Sequence, residues 1–167
     1  MRRLVFYMLL LCYSSVTAQI ELDKDFKLAV EKASKELEVK RPETTDPVKV
    51  NANVVWNESK DQLAVIVKAS ILRGWHIYAF VPENQPYIEF NTVLNNIEGL
   101  EPITSWKNPP PLPYEQGIYI YEGDLIFTRY FNLKERSKKP IEAGLFYQTC
   151  NINQCLRPNQ KTINITL

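Results

Sequence analysis

Two cysteines, Cys150 and Cys155, carry the most definite chemistry in this sequence. A pair of sulfurs can close into a disulfide. That bond is a covalent tie if other thiols are kept away, and an electron store if they can reach it. Local pattern sets the geometry of the pair. Ile141, Ala143, Leu145, Tyr147 and Thr149 alternate with Glu142, Gly144, Phe146, Gln148 and Cys150, which marks a strand running into Cys150. Thr162 to Leu167 alternates again. Asn151 to Gln154 then form a hairpin tip of a common length. Facing residues at the foot of a hairpin lie about 4.5–5.5 Å apart at Cα, a gap that a disulfide spans. The expectation is a cross-strand Cys150–Cys155 pair at the exposed end of a sheet.

Energetics alone leave both uses of that pair open. Closing so short a loop is worth about 2 kcal/mol in the loop-entropy model. A domain of this length is stable by about 5–15 kcal/mol from its core, so such a staple is optional. A non-enzymatic binding module that keeps Cys150–Cys155 as a structural disulfide is one reading; thiol–disulfide exchange is the other. No other constellation competes. His76, the only histidine, sits beside Trp75 in an extended stretch and reads as a packing residue. Cys150, Cys155 and His76 fall one ligand short of a zinc site, no nucleophile–His–Asp motif is present, and no cofactor is called for. Glu115, Glu122 and Asp124 read as solvated turn residues. Asn57-Glu58-Ser59 and Asn164-Ile165-Thr166 fit glycan acceptors, a pattern short enough to arise by chance.

The elements that must position the cysteines are mostly strands. Residues 23 to 38 form the one convincing helix, with Phe26, Ala29, Val30, Ala33 and Leu37 on one face and Asp23 as N-cap. Arg41 to Pro47 break it. From Val48 onward the pattern is strand after strand: Val48 to Trp56, Leu63 to Leu72 (apolar on both faces, as in a central strand), Trp75 to Phe80, Tyr87 to Leu94, Ile118 to Tyr121 and Leu125 to Leu133. Between them lies a prolyl stretch with Pro109, Pro110, Pro111 and Pro113, where regular strand pairing is not expected. Seven or eight short strands separated by turns predict an all-β fold, an immunoglobulin-like antiparallel β-sandwich with an added N-terminal helix. The antibody Cys…Trp…Cys core pattern is missing, because both cysteines fall in one hairpin.

The N-terminus reads as an export signal. Arg2 and Arg3 precede an apolar run from Leu4 to Leu11, and Val16-Thr17-Ala18 offers a cleavage site. Leu11 stands where a lipoprotein signal wants a small residue, which argues against lipidation of Cys12. The expected organisation is a signal peptide at 1–18, a helical arm and linker at 19–47 and a β-sandwich domain at 48–167. No stretch after the signal is apolar for long enough to span a membrane as a helix. Losing Arg2 and Arg3 takes the formal charge from +1 to −1 with signs interspersed, which is no nucleic-acid footprint. In an exported chain a pair of cysteines is expected to be bonded or redox-active.

Phe146-Tyr147-Gln148-Thr149-Cys150 with Cys155-Leu156-Arg157-Pro158 resembles the terminal hairpin of the N-terminal periplasmic domain of the DsbD family of thiol:disulfide interchange proteins. Gly74-Trp75-His76-Ile77-Tyr78 is similar to that family's Gly-aromatic-x-aliphatic-Tyr strand, and Ile120 to Leu125 looks like the strand after its cap loop. The resemblance runs from about Val48 to Leu167. It implies an immunoglobulin-like domain, a protein-disulfide reductase in the periplasm, that passes electrons to oxidised partners of thioredoxin fold. Cys155 would form the mixed disulfide and Cys150 would resolve it. Tyr114 would be the aromatic that caps the pair, with Tyr78 and Tyr147 lining the site. There are departures. The family's hairpin holds five residues between its cysteines against four here, and the helix at 23 to 38 is extra. The family's membrane conduit and thioredoxin-like domain have no counterpart in the matched region, so a separate membrane electron donor is implied.

Overall fold

The computed structural model describes residues 22–137 and 139–167; the expected signal at 1–18, with Cys12, lies outside the described residues. Among the described residues one helix, α1 (Lys24–Glu36), precedes eleven strands. These are β1 (Val48–Trp56), β2 (Gln62–Ile71), β3 (Trp75–Phe80), β4 (Asn91–Asn95), β5 (Leu100–Pro102), β6 (Leu112–Pro113), β7 (Tyr119–Tyr121), β8 (Asp124–Leu133), β9 (Ile141–Tyr147), β10 (Thr149–Asn151) and β11 (Asn159–Ile165). They form three antiparallel sheets in the orders β1-β2-β8-β5, β10-β3-β7-β6 and β11-β9-β4. The fold is all-β apart from α1, and its architecture is that of an immunoglobulin-like sandwich with an added helix.

Burial follows the pleat. Along β2, Leu63, Val65, Val67, Ala69 and Ile71 face the main core, where they meet Phe127 and Phe131 of β8 and Ile141, Ala143 and Leu145 of β9. Ala64 and Ile66 face the other way and are just as fully buried, because α1 lies over them. That is why Leu63 to Leu72 reads as apolar on both faces. Asp23 caps the helix by accepting from the Phe26 N–H at 3.2 Å, and Phe26 packs edge-on to Tyr130 at 5.5 Å. The helix is therefore part of the packed structure. At its far end Lys68 Nζ donates to the Lys35 carbonyl at 3.0 Å, a favourable place for a cation at a helix C-terminus. Asp46, in the segment that follows, takes Lys49 and Lys161 as partners, which ties the approach to β1 to the last strand.

Ahead of the cysteine hairpin, two elements differ from the sequence pattern. The alternation expected over Tyr87 to Leu94 becomes a ladder only at Asn91; residues before it cross between sheets, with Phe90 N–H donating to the Tyr78 carbonyl at 2.8 Å. The prolyl stretch does enter a sheet. Leu112 and Pro113 pair with Ile120 and Tyr119 as a two-residue edge strand, a position where a residue with no N–H is tolerated.

If α1 holds the outer face of β2 shut, Phe26→Ala should cost about 3–5 kcal/mol in urea unfolding. An unchanged midpoint would mean that the helix is only appended.

Candidate functional site

The expected strand from Ile141 into Cys150 is interrupted once. β9 ends at Tyr147, and after Gln148 the chain resumes as β10, which pairs with β3 in a different sheet. Gln148 sits at the transfer, its Oε1 accepting from the Ile88 N–H at 3.0 Å. The register sets Thr149 opposite Ile77, Cys150 opposite His76 and Asn151 opposite Trp75. Because side chains alternate, Thr149 and Asn151 take the face of Ile77 and Trp75, which belong to the main core. Cys150 and His76 share the opposite face.

That second face has its own small core. Tyr78, Ile118, Ile120 and Cys150 are buried together, with Val81 and Tyr87 packed at the margin. Tyr78 stacks on Tyr87 at 4.5 Å. His76 meets Tyr78 edge-on at 5.1 Å and the tilted ring of Tyr114 at 5.1 Å. Tyr114, itself 43% exposed, thus closes the cluster from the solvent side. Its placement comes from the prolyl loop. Tyr114 N–H donates to the Ile118 carbonyl at 2.9 Å, and Tyr121 Oη donates to the Pro109 carbonyl at 3.1 Å, which anchors the loop from the core side.

Cys150 and Cys155 are joined with their Cα atoms 4.0 Å apart. The bonds on either side, Asn151 N–H to the Gln154 carbonyl and Leu156 N–H to the Thr149 carbonyl, both at 2.9 Å, make this the non-hydrogen-bonded pair of the hairpin, where strands approach most closely. Asn151 Oδ1 accepts from the N–H groups of Asn153 and Gln154 and fixes the tip. The two sulfurs sit in unlike places. Cys150 is 2% exposed, whereas Cys155 is exposed beside Ile152, which is 95% exposed.

Of the residues singled out from sequence, Cys150, Cys155 and Tyr78 come together, and Tyr114 joins them through His76. Tyr147 lies in the main core on the far side of the sheet, away from the Cys150 cluster. Glu122 faces His76 electrostatically; Asp124 opens β8 in another sheet, opposite Ser70. The residue that sequence reasoning set aside is His76. The signal for it was present, since the period of two that puts Tyr78 on this face puts His76 there as well.

His76 is 6% exposed, and its Nε2 is the one buried side-chain nitrogen or oxygen among the described residues with no hydrogen-bond partner. Burial pushes its pKa below the ordinary 6.5, against a smaller upward pull from Glu122. Burial also pushes the Tyr78 and Tyr147 hydroxyls well above their ordinary value, so both stay protonated. No group of three or more His, Cys, Asp or Glu side chains among the described residues is arranged to hold a metal ion. The described helix is too short and too polar to cross a membrane.

No protein-family model matches the sequence, and no curated protein does. Solved structures do match. The crystal structure of the N-terminal periplasmic domain of ScsB from Proteus mirabilis is similar with a TM-score of 0.52 at 14% identity, over 76% of this chain and 49% of that one. The likeness is one of fold. This chain spans about half the length of that relative. The N-terminal domain of DsbD from Neisseria meningitidis, in its reduced form, gives 0.38 at 19% identity over 62% of this chain and 76% of that one. The GAE domain of yeast GGA1 gives 0.42 at 12% identity over 78% and 98%. Identities this low leave the chemistry to be argued from the residues themselves.

A histidine that is harder to protonate when folded makes stability depend on pH. Below about 6.5 the unfolded chain gains a proton at His76 that the folded chain refuses, so stability is full above 6.5 and falls as pH drops towards the folded pKa. Urea unfolding of the oxidised protein between about pH 7 and about pH 5 should show this loss. His76→Phe should lack that component; parallel curves for the two proteins would contradict it.

Proposed function

We propose that this chain is an exported thiol–disulfide exchange domain of the periplasm, a protein-disulfide reductase that passes electrons from Cys150 and Cys155 to oxidised partners of thioredoxin fold. One observation carries the reading: the two bonded sulfurs differ in access, Cys155 exposed at a hairpin tip and Cys150 buried behind it. A staple has no use for that asymmetry. Exchange does, since one thiol must meet a foreign disulfide while the other is held in reserve.

In the reduced protein the Cys155 thiolate attacks one sulfur of the partner's disulfide, and the partner's other sulfur leaves as a thiolate. Cys150 then attacks Cys155 Sγ in the mixed disulfide, and the partner's second thiolate departs. The pair is oxidised by two electrons, the partner is reduced by two, and two protons pass from the cysteines through solvent to the partner's thiols. Tyr114 acts as the cap that shields the cluster, and Tyr78 lines it; Tyr147 supports the sheet behind. A separate membrane electron donor restores the dithiol. The DsbD-like hairpin and the fold shared with an N-terminal periplasmic domain support this assignment.

Cys150→Ser should accumulate a mixed disulfide through Cys155 when offered an oxidised thioredoxin-fold protein, whereas Cys155→Ser should not; intact mass spectrometry reads both. A pair that captures nothing in either variant, with a reduction potential below about −300 mV, would be a staple. Tyr114→Ala should leave stability within about 1 kcal/mol of the parent yet speed reduction of the disulfide by a small thiol several-fold. An unchanged rate would remove Tyr114 from the role of cap.

A further inference from the structure

The resolving step has a physical difficulty that the exposed cysteine does not share. To attack, Cys150 must shed its proton, and it sits among Tyr78, Ile118 and Ile120 where water does not reach the anion. A thiolate in apolar surroundings forms reluctantly unless a base or cation stands beside it. Directly across the ladder is His76, its side chain on the same face. Residues opposite one another in an antiparallel pair have Cβ atoms about 4.5–5.5 Å apart, a spacing that an imidazole can bridge to a thiol. His76 is 94% buried, and its Nε2 finds no partner among the described residues while Cys150 is in a disulfide. A disulfide sulfur has no hydrogen to give; a thiol has.

We propose that His76 is the proton acceptor for Cys150 in the resolving step, and that its unpartnered nitrogen marks the oxidised half of the cycle. The inference rests on the exchange reading above and adds a named proton path to it. In the mixed disulfide, the Cys150 S–H passes its proton to neutral His76. The thiolate, paired with the imidazolium that has just formed, attacks Cys155 Sγ, and the S–S bond to the partner breaks with both electrons leaving on the partner's sulfur. The imidazolium then releases its proton to solvent past Tyr114. On reduction the sequence runs in reverse, and Nε2 regains a thiol beside it.

The groups facing His76 suit this use. From β10 Cys150 stands opposite it in the register, from its own strand it meets Tyr78, from the prolyl loop Tyr114, and from the turn before β8 it feels the charge of Glu122. Burial keeps the Tyr78 hydroxyl protonated, and Glu122 favours the imidazolium. With its pKa lowered by burial, His76 is unprotonated at neutral pH and free to accept. Its loss should leave the first step alone, because Cys155 lies outside the cluster.

Reduced full-length mature protein mixed with an aromatic disulfide that yields a coloured thiol separates the two steps. Attack by Cys155 releases a first equivalent, and attack by Cys150 releases a second. In the parent the second phase should hold level with falling pH until His76 itself takes up a proton. In His76→Gln, which is polar but accepts no proton, the second phase should slow at least about tenfold at neutral pH and lose rate already from the alkaline side, with the first phase unchanged. His76→Phe should behave alike, and circular dichroism confirms that each variant is folded. If His76→Phe fails to fold, His76→Gln decides. Two equal phases in both proteins would overturn the role of His76 and leave exchange standing. A parent that releases no second equivalent would overturn the exchange reading and this inference together.

Discussion

Between Tyr147 and Thr149 the backbone stops pairing with β11 and begins pairing with β3, and the side chains that follow are re-aimed by that transfer. A strand continuing in one sheet would have carried Cys150 along the ladder of β9. Instead the register with β3 sets Cys150 opposite His76 and turns both away from the main core. Gln148, at the transfer, accepts from the Ile88 N–H with its side chain and ties this crossing to the one at residues 87–90.

The same sheet therefore has two dry faces of different character. Trp75, Ile77, Ala79 and Tyr121 are part of a large core and hold the strand in place. His76, Tyr78, Ile120 and Cys150 are on the reverse, under a thin cover of Tyr87, Tyr114 and the prolyl turn. A rigid inner face and a lightly covered outer face put the buried sulfur in apolar surroundings without placing it deep. The exposed sulfur needs none of this. It stands on a tip whose shape is held by Asn151 and by the bonds flanking the pair.

Much of this is legible in the sequence because it depends on local alternation. The central character of β2, the capping of α1 by Asp23, the hairpin around Asn151 to Gln154 and the pairing of its cysteines all follow from neighbours in the chain. What escapes is whatever depends on contacts distant in sequence. Residues 87 to 90 alternate like a strand but are used as a bridge between sheets. Leu112 and Pro113 lack strand character and pair nonetheless, because an edge needs only one good side. Tyr147 and Cys150, three residues apart, are of opposite parity, but the crossing puts them in different sheets, one in the main core and the other in the small cluster. His76 was visible as a strand residue, but its neighbour across the ladder was not.

The site combines a bond of the shortest range with surroundings of the longest. Cys150 and Cys155 are separated by 5 positions in the chain, whereas Thr149 is tied to the His76 carbonyl by a hydrogen bond spanning 73. Closing a small ring costs little entropy at any stage, while docking β10 on β3 requires most of the chain to be in place. Oxidation of the cysteines can precede folding, and the apolar setting that distinguishes one sulfur from the other arrives only with the finished sandwich. A disulfide closed early would be an ordinary small-loop bond, and its two ends would acquire different personalities late, when the sheet closes behind one of them.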